Sequence, residues 1–474
     1  MKKAFRILLI ILVSFIVTLI VRKGNEYSML DILICLITIL LSLIVYFYGQ
    51  QKSEFKGHWA KPSNVLLIGL LIVNYQLIID LVLGLRSFYD FSEPSVTNRT
   101  CYISTLGVLA TIVGLCAPER ESKQPTNQFN NRQINMTFLV FMQVALFVIW
   151  IITVDIRELL SGEQYGVVER AYWEQFYNYS ITVVLACVCL NSRDGSVKNI
   201  HQFLKKNKMI SWICIGLYML FRLVSGDRGP FLYTGMLIFY SYIYCTKLRI
   251  KLLPIILILI FGAISMTIIG IARIDASSGS FSQRVAQSSS ELDFSERYNT
   301  RTVFSPTVEL ARSYRCNQYA VSDIEESGEP IHYGTYQLFQ IVGMVPFALS
   351  FISETYNIPE WLRGSGYYFT LREKGDYYLY GQVGTTCIAD LFMDFGPIGV
   401  FVGMLILGLI FTRVDKTICI DRNISPLGIL LALSFASMSI YIGRATIISQ
   451  IKPILVLLVM FYINYLFQPS NSRK

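Results

Sequence analysis

The chain has 474 residues, 53% of them apolar and only 15% charged, where an average soluble domain is about a quarter charged. Several apolar runs approach the roughly 20 residues that cross a bilayer, which excludes a soluble globular protein and makes nearly the whole chain a single membrane domain. The formal charge of +9 does not point to nucleic acid. The basic residues are spread over short loops, and no basic stretch interleaves with aromatics, so no nucleic-acid partner is expected.

The N-terminus, MKKAFRILLIILVSFIVTLIV, has the basic start and apolar core of a signal peptide. It lacks a small-residue cleavage site and is too long, so it reads as an uncleaved first helix. Apolar runs then predict about twelve spanning helices. Their cores are 5–21, 29–48, 64–84, 101–117, 136–154, 176–190, 209–224, 231–245, 252–272, 396–412, 426–442 and 453–467. Alternate loops carry most of the Lys and Arg, for example Lys52, Lys56 and Lys61, then Arg193, Lys198, Lys205, Lys206 and Lys208. That bias places both termini in the cytoplasm of a cell with a cytoplasmic (inner) membrane. The third span holds Asn74, Gln76 and Asp80, the one conspicuous polar cluster inside a run.

Between the ninth and tenth helices the chain stays on the extracytoplasmic face from 273 to 395. That is far beyond the 12–15 residues of a structureless loop, so this loop carries structure and function. Within it, GTYQLFQIVGMVPFALSFI is apolar but interrupted by Gly343 and Pro346, which suits a helix lying at or dipping into the interface. The stretch SGYYFTLREKGDYYLYG is dense in tyrosine, a residue of lipid interfaces and also a platform for sugar rings. The sequence leaves open whether Cys316 and Cys387 pair, and His58, His201 and His332 lie too far apart in sequence for a zinc motif, so no metal or cofactor is expected.

The outer face gathers arginines, which the positive-inside rule makes unusual there: Arg222, Arg228 in SGDRGPF, Arg273 in GIARID, then Arg312 and, in the last outer loop, Arg444. One such arginine can simply snorkel to lipid phosphate. Arg228 and Arg273, flanking adjacent helices on one face, suit a lipid-linked pyrophosphate, since guanidinium matches phosphate oxygens bidentately and stays charged. A sugar carried on such a group already has a good leaving group. The enzyme must neutralise charge as the bond breaks and present an acceptor hydroxyl, with a carboxylate as general base. Glu309, Asp390 and Asp394 are the candidates. Glu309 reads equally as an ion pair with Arg312 at i, i+3, and Asp394 as a cap of the tenth helix.

At these residues the chain resembles the Wzy-type O-antigen and capsule polymerases, bacterial enzymes that join oligosaccharide repeat units. The matching pieces are SGDRGPF, GIARID, VELARSY, IHYGTYQLFQIVGMVPF and GSGYYFTLREKGDYYLYGQVGTTCIADLFMDFGPIGVFVGMLILG. In the last, Asp390, Asp394, Phe395, Gly396 and Gly399 stand where the family has an acidic residue and D-F-G-x-x-G entering a membrane helix. LARSY departs from the usual Met-Gly-Gly, and Asp390 stands where Glu is commoner. The resemblance implies an all-α polytopic, glycosyltransferase C-like fold and a metal-independent inverting glycosyltransferase. It would move a growing O-antigen or capsular glycan from undecaprenyl pyrophosphate onto an incoming repeat unit, at the outer face of the membrane. Arg228 and Arg273, with Arg222, Arg312 and Arg444, would hold pyrophosphate, and Glu309, Asp394 or Asp390 would activate the acceptor. Tyr333, Tyr336, Tyr380 and His332 would line the glycan path. A chain-length regulator and a flippase are the partners it implies, beside membrane lipid and the lipid-linked oligosaccharide. An O-antigen ligase is the near alternative, and a polysaccharide or solute transporter the alternative of another class. Against the transporter, the two halves show no repeat.

Overall fold

The structure is a computed structural model that describes residues 2–22, 27–118, 136–154, 171–225, 228–257, 260, 262, 264, 302–345, 347–375, 383–422, 424–448 and 454–466. Among these residues every regular element is helical. In chain order the helices are α1 Lys2–Arg22, α2 Met29–Gln51, α3 Pro62–Val82, α4 Thr97–Cys116, α5 Met136–Thr153, α6 Ala171–Leu190, α7 Ile200–Lys205, α8 Met209–Val224 and α9 Arg228–Thr246. After them come α10 Val308–Ala311, α11 Tyr314–Val321, α12 Thr335–Val342, α13 Ala348–Thr355, α14 Ser365–Lys374, α15 Cys387–Cys419, α16 Pro426–Ser437 and α17 Ile454–Leu466. Six of them, α1 to α5 and α15, are long and apolar enough to cross a membrane. Others stand at the expected positions but are shorter or less apolar, and the expected span at 252–272 lies largely outside the described residues. This is a helical membrane protein.

The chain groups into two compact units, one of Met1–Glu119, Asp293–Arg413 and Ser439–Lys452, the other of Arg120–Leu292, Val414–Met438 and Pro453–Lys474. In the first, α4 is the central helix, buried along nearly its whole length. α1 and α2 bury only narrow stripes, such as Leu8, Leu12 and Phe15, and expose Ile10, Val13 and Val17, the pattern of helices whose outer face meets lipid. α4 and α15 touch backbone to backbone. A Cβ on Gly408 would come within 2.3 Å of the Thr111 carbonyl oxygen, and one on Gly114 within 2.5 Å of the Leu405 oxygen. The close approach lets Thr111 Oγ1 donate to the Met404 carbonyl at 3.2 Å and Thr412 Oγ1 to that of Gly114 at 3.2 Å. Small residues at such crossings supply the packing that the hydrophobic effect cannot supply in lipid.

The polar cluster of α3 has a definite task. Gln76 Nε2 donates to Thr302 Oγ1 (3.0 Å) and the Phe304 carbonyl (2.8 Å), and Gln76 Oε1 accepts from Thr307 Oγ1 (2.6 Å). Asp80 Oδ1 accepts from the Val303 N–H at 2.8 Å. Asn317 Nδ2 donates to Asn74 Oδ1 (2.8 Å) and Ser104 Oγ (3.2 Å). The long loop thus enters the helix cluster, with α11 buried against α3 and α4. Ion pairs strap down its residues 315–373. Arg99 grips Glu325 bidentately (2.7 and 2.9 Å), Arg315 meets Glu373 (2.7 Å), and Arg372 bridges Glu93 (3.0 Å) and Asp323 (2.8 Å).

The second unit packs α5, α6, α8, α9, α16 and α17. Its centre is aromatic: Trp150 stacks on Tyr177 at 6.2 Å, and Tyr218 meets both edge-on at 5.1 Å. Beyond α9, Lys247 Nζ donates to the carbonyls of Thr417 (3.1 Å), Ile418 (3.0 Å) and Asp421 (2.6 Å), capping the end of α15.

The α4–α15 crossing is testable. Gly408→Leu should lower the melting temperature in detergent, with a cost of about 1–3 kcal/mol from overpacking. Gly216→Leu, at a position with open space around it, should leave the melting temperature unchanged.

Candidate functional site

The DFGPIG stretch is a helix break built for a purpose. α15 is two helical segments joined at Gly396, whose φ of 63° and ψ of −157° suit glycine alone. Pro397 follows with its fixed φ and opens the second segment. Asp394, just before the break, is fully buried. Its carboxylate accepts the backbone N–H groups of Tyr336 (3.1 Å) and Gln337 (2.9 Å), in the first turn of α12. The cap residue of that helix is Gly334, which has no side chain to offer. Asp394 therefore caps α12 from a distance, placing a negative group on two orphan donors at the positive end of the helix. The sequence offered a cap of the tenth helix, and the structure assigns the cap to α12 instead. Asp390, one turn earlier, accepts from Gln337 Nε2 (2.5 Å) and Ser365 Oγ (2.6 Å). Both carboxylates share one face, as their i, i+4 spacing requires, and both reach Gln337.

The third candidate carboxylate has different company. Glu309, on the short helix α10, lies 3.5 Å from Arg444 Nη1, which stands on the turn Ile442–Arg444. The Glu309 side chain is 40% exposed and that of Arg444 19%. The sequence offered Arg312 as the ion-pair partner of Glu309, and the structure also supplies Arg444. Arg312 is exposed on the residue that follows α10. This carboxylate and guanidinium, far apart in the chain, are brought together because residues 302–317 dock onto α3 while the turn at 442–444 packs against the same helix.

An aromatic group lies around the start of α12. The His332 ring is 4.7 Å from Tyr336, 6.1 Å from Trp361 and 6.2 Å from Tyr368. Tyr368 donates its hydroxyl to Asp323 at 2.9 Å, the same carboxylate that pairs with Arg372. Burial holds the His332 imidazole below its ordinary value, and Asp394 and Glu329 offset that only in part. Tyr333 is 80% exposed, beside the ring group. Sequence reading named His332, Tyr333 and Tyr336 but missed Trp361 and Tyr368. Tyr368 was inside a tyrosine-dense stretch without anything to single it out, and no pattern marked Trp361.

In the second unit Arg222 pairs with Glu174, to which Tyr218 also donates at 2.8 Å, and its guanidinium lies over the Trp150 ring at 5.7 Å. Arg228 opens α9, but its side chain lies outside the described residues, as do Arg273 and Tyr380. Cys316 and Cys387 are both buried free thiols, so they form no disulfide. Among the described residues no group of three or more His, Cys, Asp or Glu is placed to hold a metal ion.

Removing the remote cap has a local signature. Asp394→Ala should speed hydrogen exchange at the Tyr336 and Gln337 amides and destabilise α12 by about 1–2 kcal/mol. Exchange at α4 should stay unchanged.

No curated protein and no solved structure matches the chain. The sequence model of the family described as O-antigen polysaccharide polymerase Wzy matches residues 4–473, from the first helix to the last residues. With a helical membrane fold and that match over nearly its whole length, the chain belongs to the O-antigen polysaccharide polymerase Wzy family.

Proposed function

We propose that this protein polymerises undecaprenyl-pyrophosphate-linked repeat units into O-antigen or capsular polysaccharide at the outer face of the cytoplasmic membrane, with both termini in the cytoplasm. The observation that carries the reading is the Glu309–Arg444 pair, a partly exposed carboxylate beside a guanidinium on a loop that the helices hold in place. In this reading the acceptor hydroxyl of one repeat unit attacks the anomeric carbon of the chain on the donor. The hydroxyl proton passes to Glu309 as the new glycosidic bond forms. The bond to pyrophosphate breaks, and undecaprenyl pyrophosphate leaves with the electron pair. Arg444 and Arg312 offset the charge that develops on its oxygens, a role guanidinium fills without a metal. In-line displacement inverts the anomeric centre.

Among the candidate carboxylates Glu309 is the one we assign as base. Asp390 and Asp394 have oxygens committed to α12 and Ser365, which makes them positioning residues. His332 and Tyr333, joined by Trp361 and Tyr368, offer ring faces and hydroxyls suited to a glycan, while Tyr336 is buried and backs the His332 ring. Arg228 and Arg273 keep the phosphate role that the resemblance gives them, as a question separate from Arg444. Arg222 is better explained by its pair with Glu174. A chain-length regulator and a flippase are the functional neighbours this reading calls for.

The test is complementation of a strain deleted for the gene, read as the ladder of chain lengths on a gel. Glu309→Gln and Arg444→Ala should abolish long chains, with activity down about 100-fold or more, the scale of losing a general base. Arg444→Lys should recover part of the ladder. Full ladders from Glu309→Gln and Arg444→Ala at normal protein levels would remove the assignment. A single capped transfer in place of a ladder would favour the ligase.

A further inference from the structure

The helix α12 has its amphipathic face reversed relative to a helix on an aqueous protein surface, and α13 after it exposes a large aromatic ring. On α12 the inward residues are polar or carry hydroxyls. Tyr336 is buried against His332, and Gln337 donates to Asp390. The outward residues of α12 are Leu338 and Ile341, at i and i+3 and exposed at 58% and 50%, and Val345 in the turn after the helix is exposed at 49%. Phe347, just before α13, is exposed at 58%, and Phe351 on α13 at 68%. No Asp, Glu, Lys or Arg occurs between Glu329 and Glu354. A surface this apolar and uncharged, with its polar side turned to the protein, is at odds with water as its neighbour.

Its position says what the neighbour is. α12 begins where Asp394 holds it, at the break in α15, and the Phe395 ring lies so close to Gly334 that a Cβ there would come within 2.8 Å of it. Directly after the break, α15 exposes Ile398, Val402, Ile406 and Leu409, one outward stripe on a helix long and apolar enough to span the membrane. The exposed residues of α12 belong to a helix anchored at the break where that stripe begins.

We infer that α12 and α13 form a hairpin whose edge, Leu338, Ile341, Val345, Phe347 and Phe351, is inserted in the lipid bilayer beside the upper end of the α15 stripe. The occupant is lipid acyl chain. A second copy of the chain or another protein is the competing occupant. Insertion fixes the level of Asp394, His332 and Tyr336 relative to the membrane surface, since all three are bonded to or stacked on the hairpin's first turn. The inference does not depend on the polymerase reading.

The experiment uses the full-length protein in lipid nanodiscs. A cysteine is introduced singly at Ile341, Phe351 or, as a control, Tyr89, a loop residue exposed at 80%, and labelled with an environment-sensitive nitrobenzoxadiazole dye. The unsubstituted protein, whose cysteines are all buried, gives the labelling background. Labels at Ile341 and Phe351 should be blue-shifted, quenched several-fold more by acyl-chain doxyl lipids than the Tyr89 label, and shielded from iodide. The Tyr89 label should be open to iodide. Iodide quenching at Ile341 and Phe351 equal to that at Tyr89 would overturn the inference. So would protection from iodide without doxyl quenching, which would assign the edge to a protein partner. Melting temperatures matching the unsubstituted protein confirm that each labelled variant is folded.

Discussion

The placing of Glu309 and Arg444 in the first unit depends on a polar stripe inside an apolar helix. Asn74, Gln76 and Asp80 sit on α3, where unsatisfied polar groups would each cost several kcal/mol in the absence of water. The partners they find are the backbone and side chains of residues 302–307 and Asn317. The same bonds order the long loop and satisfy these polar groups, apart from Asp80 Oδ2, which is buried without a hydrogen bond among the described residues. Once residues 302–317 are fixed, Glu309 is fixed, and with it the approach of Arg444 on the turn that packs on the same helix.

A second constraint works at the start of α15. Asp390 and Asp394 project from rigid helix into the loop, and the loop answers with the exposed donors of a helix start and a glutamine side chain. Here a charge at a helix end stabilises tertiary structure. The glycine break that follows lets the chain present Asp394 sideways to α12 before the second segment of α15 begins. In this chain's DFGPIG stretch Asp394 caps α12, Phe395 contacts Gly334 and Gly396 makes the break.

Much of the fold was legible from the sequence because apolar runs are long and turns are marked. α1 to α5 stand where hydropathy placed them, to within a few residues, and α8 coincides with its run. The motif pieces around Asp390 and Asp394 were recognisable for the same reason that they are structural, since a glycine break and a cap need fixed residue types. What stayed hidden was pairing across the chain. Periodicity showed Gln76 and Asp80 as anomalies in a span but could not say that Thr302, Val303 and Phe304 would meet them. Glu309 had a neighbour in sequence, Arg312, and nothing local pointed to Arg444. Trp361 carries no pattern at all until His332 and Tyr368 are brought beside it.

The most direct measurement of the central claim is reconstitution. The purified protein in liposomes is given a single undecaprenyl-pyrophosphate-linked repeat unit, with no nucleotide, no metal beyond chelator and no other protein. The account predicts a ladder of lipid-linked chains and the release of one undecaprenyl pyrophosphate for each linkage formed. Growth that fails under chelation while the protein stays folded, or disappearance of the repeat unit into a sealed compartment with no new linkage, would contradict it.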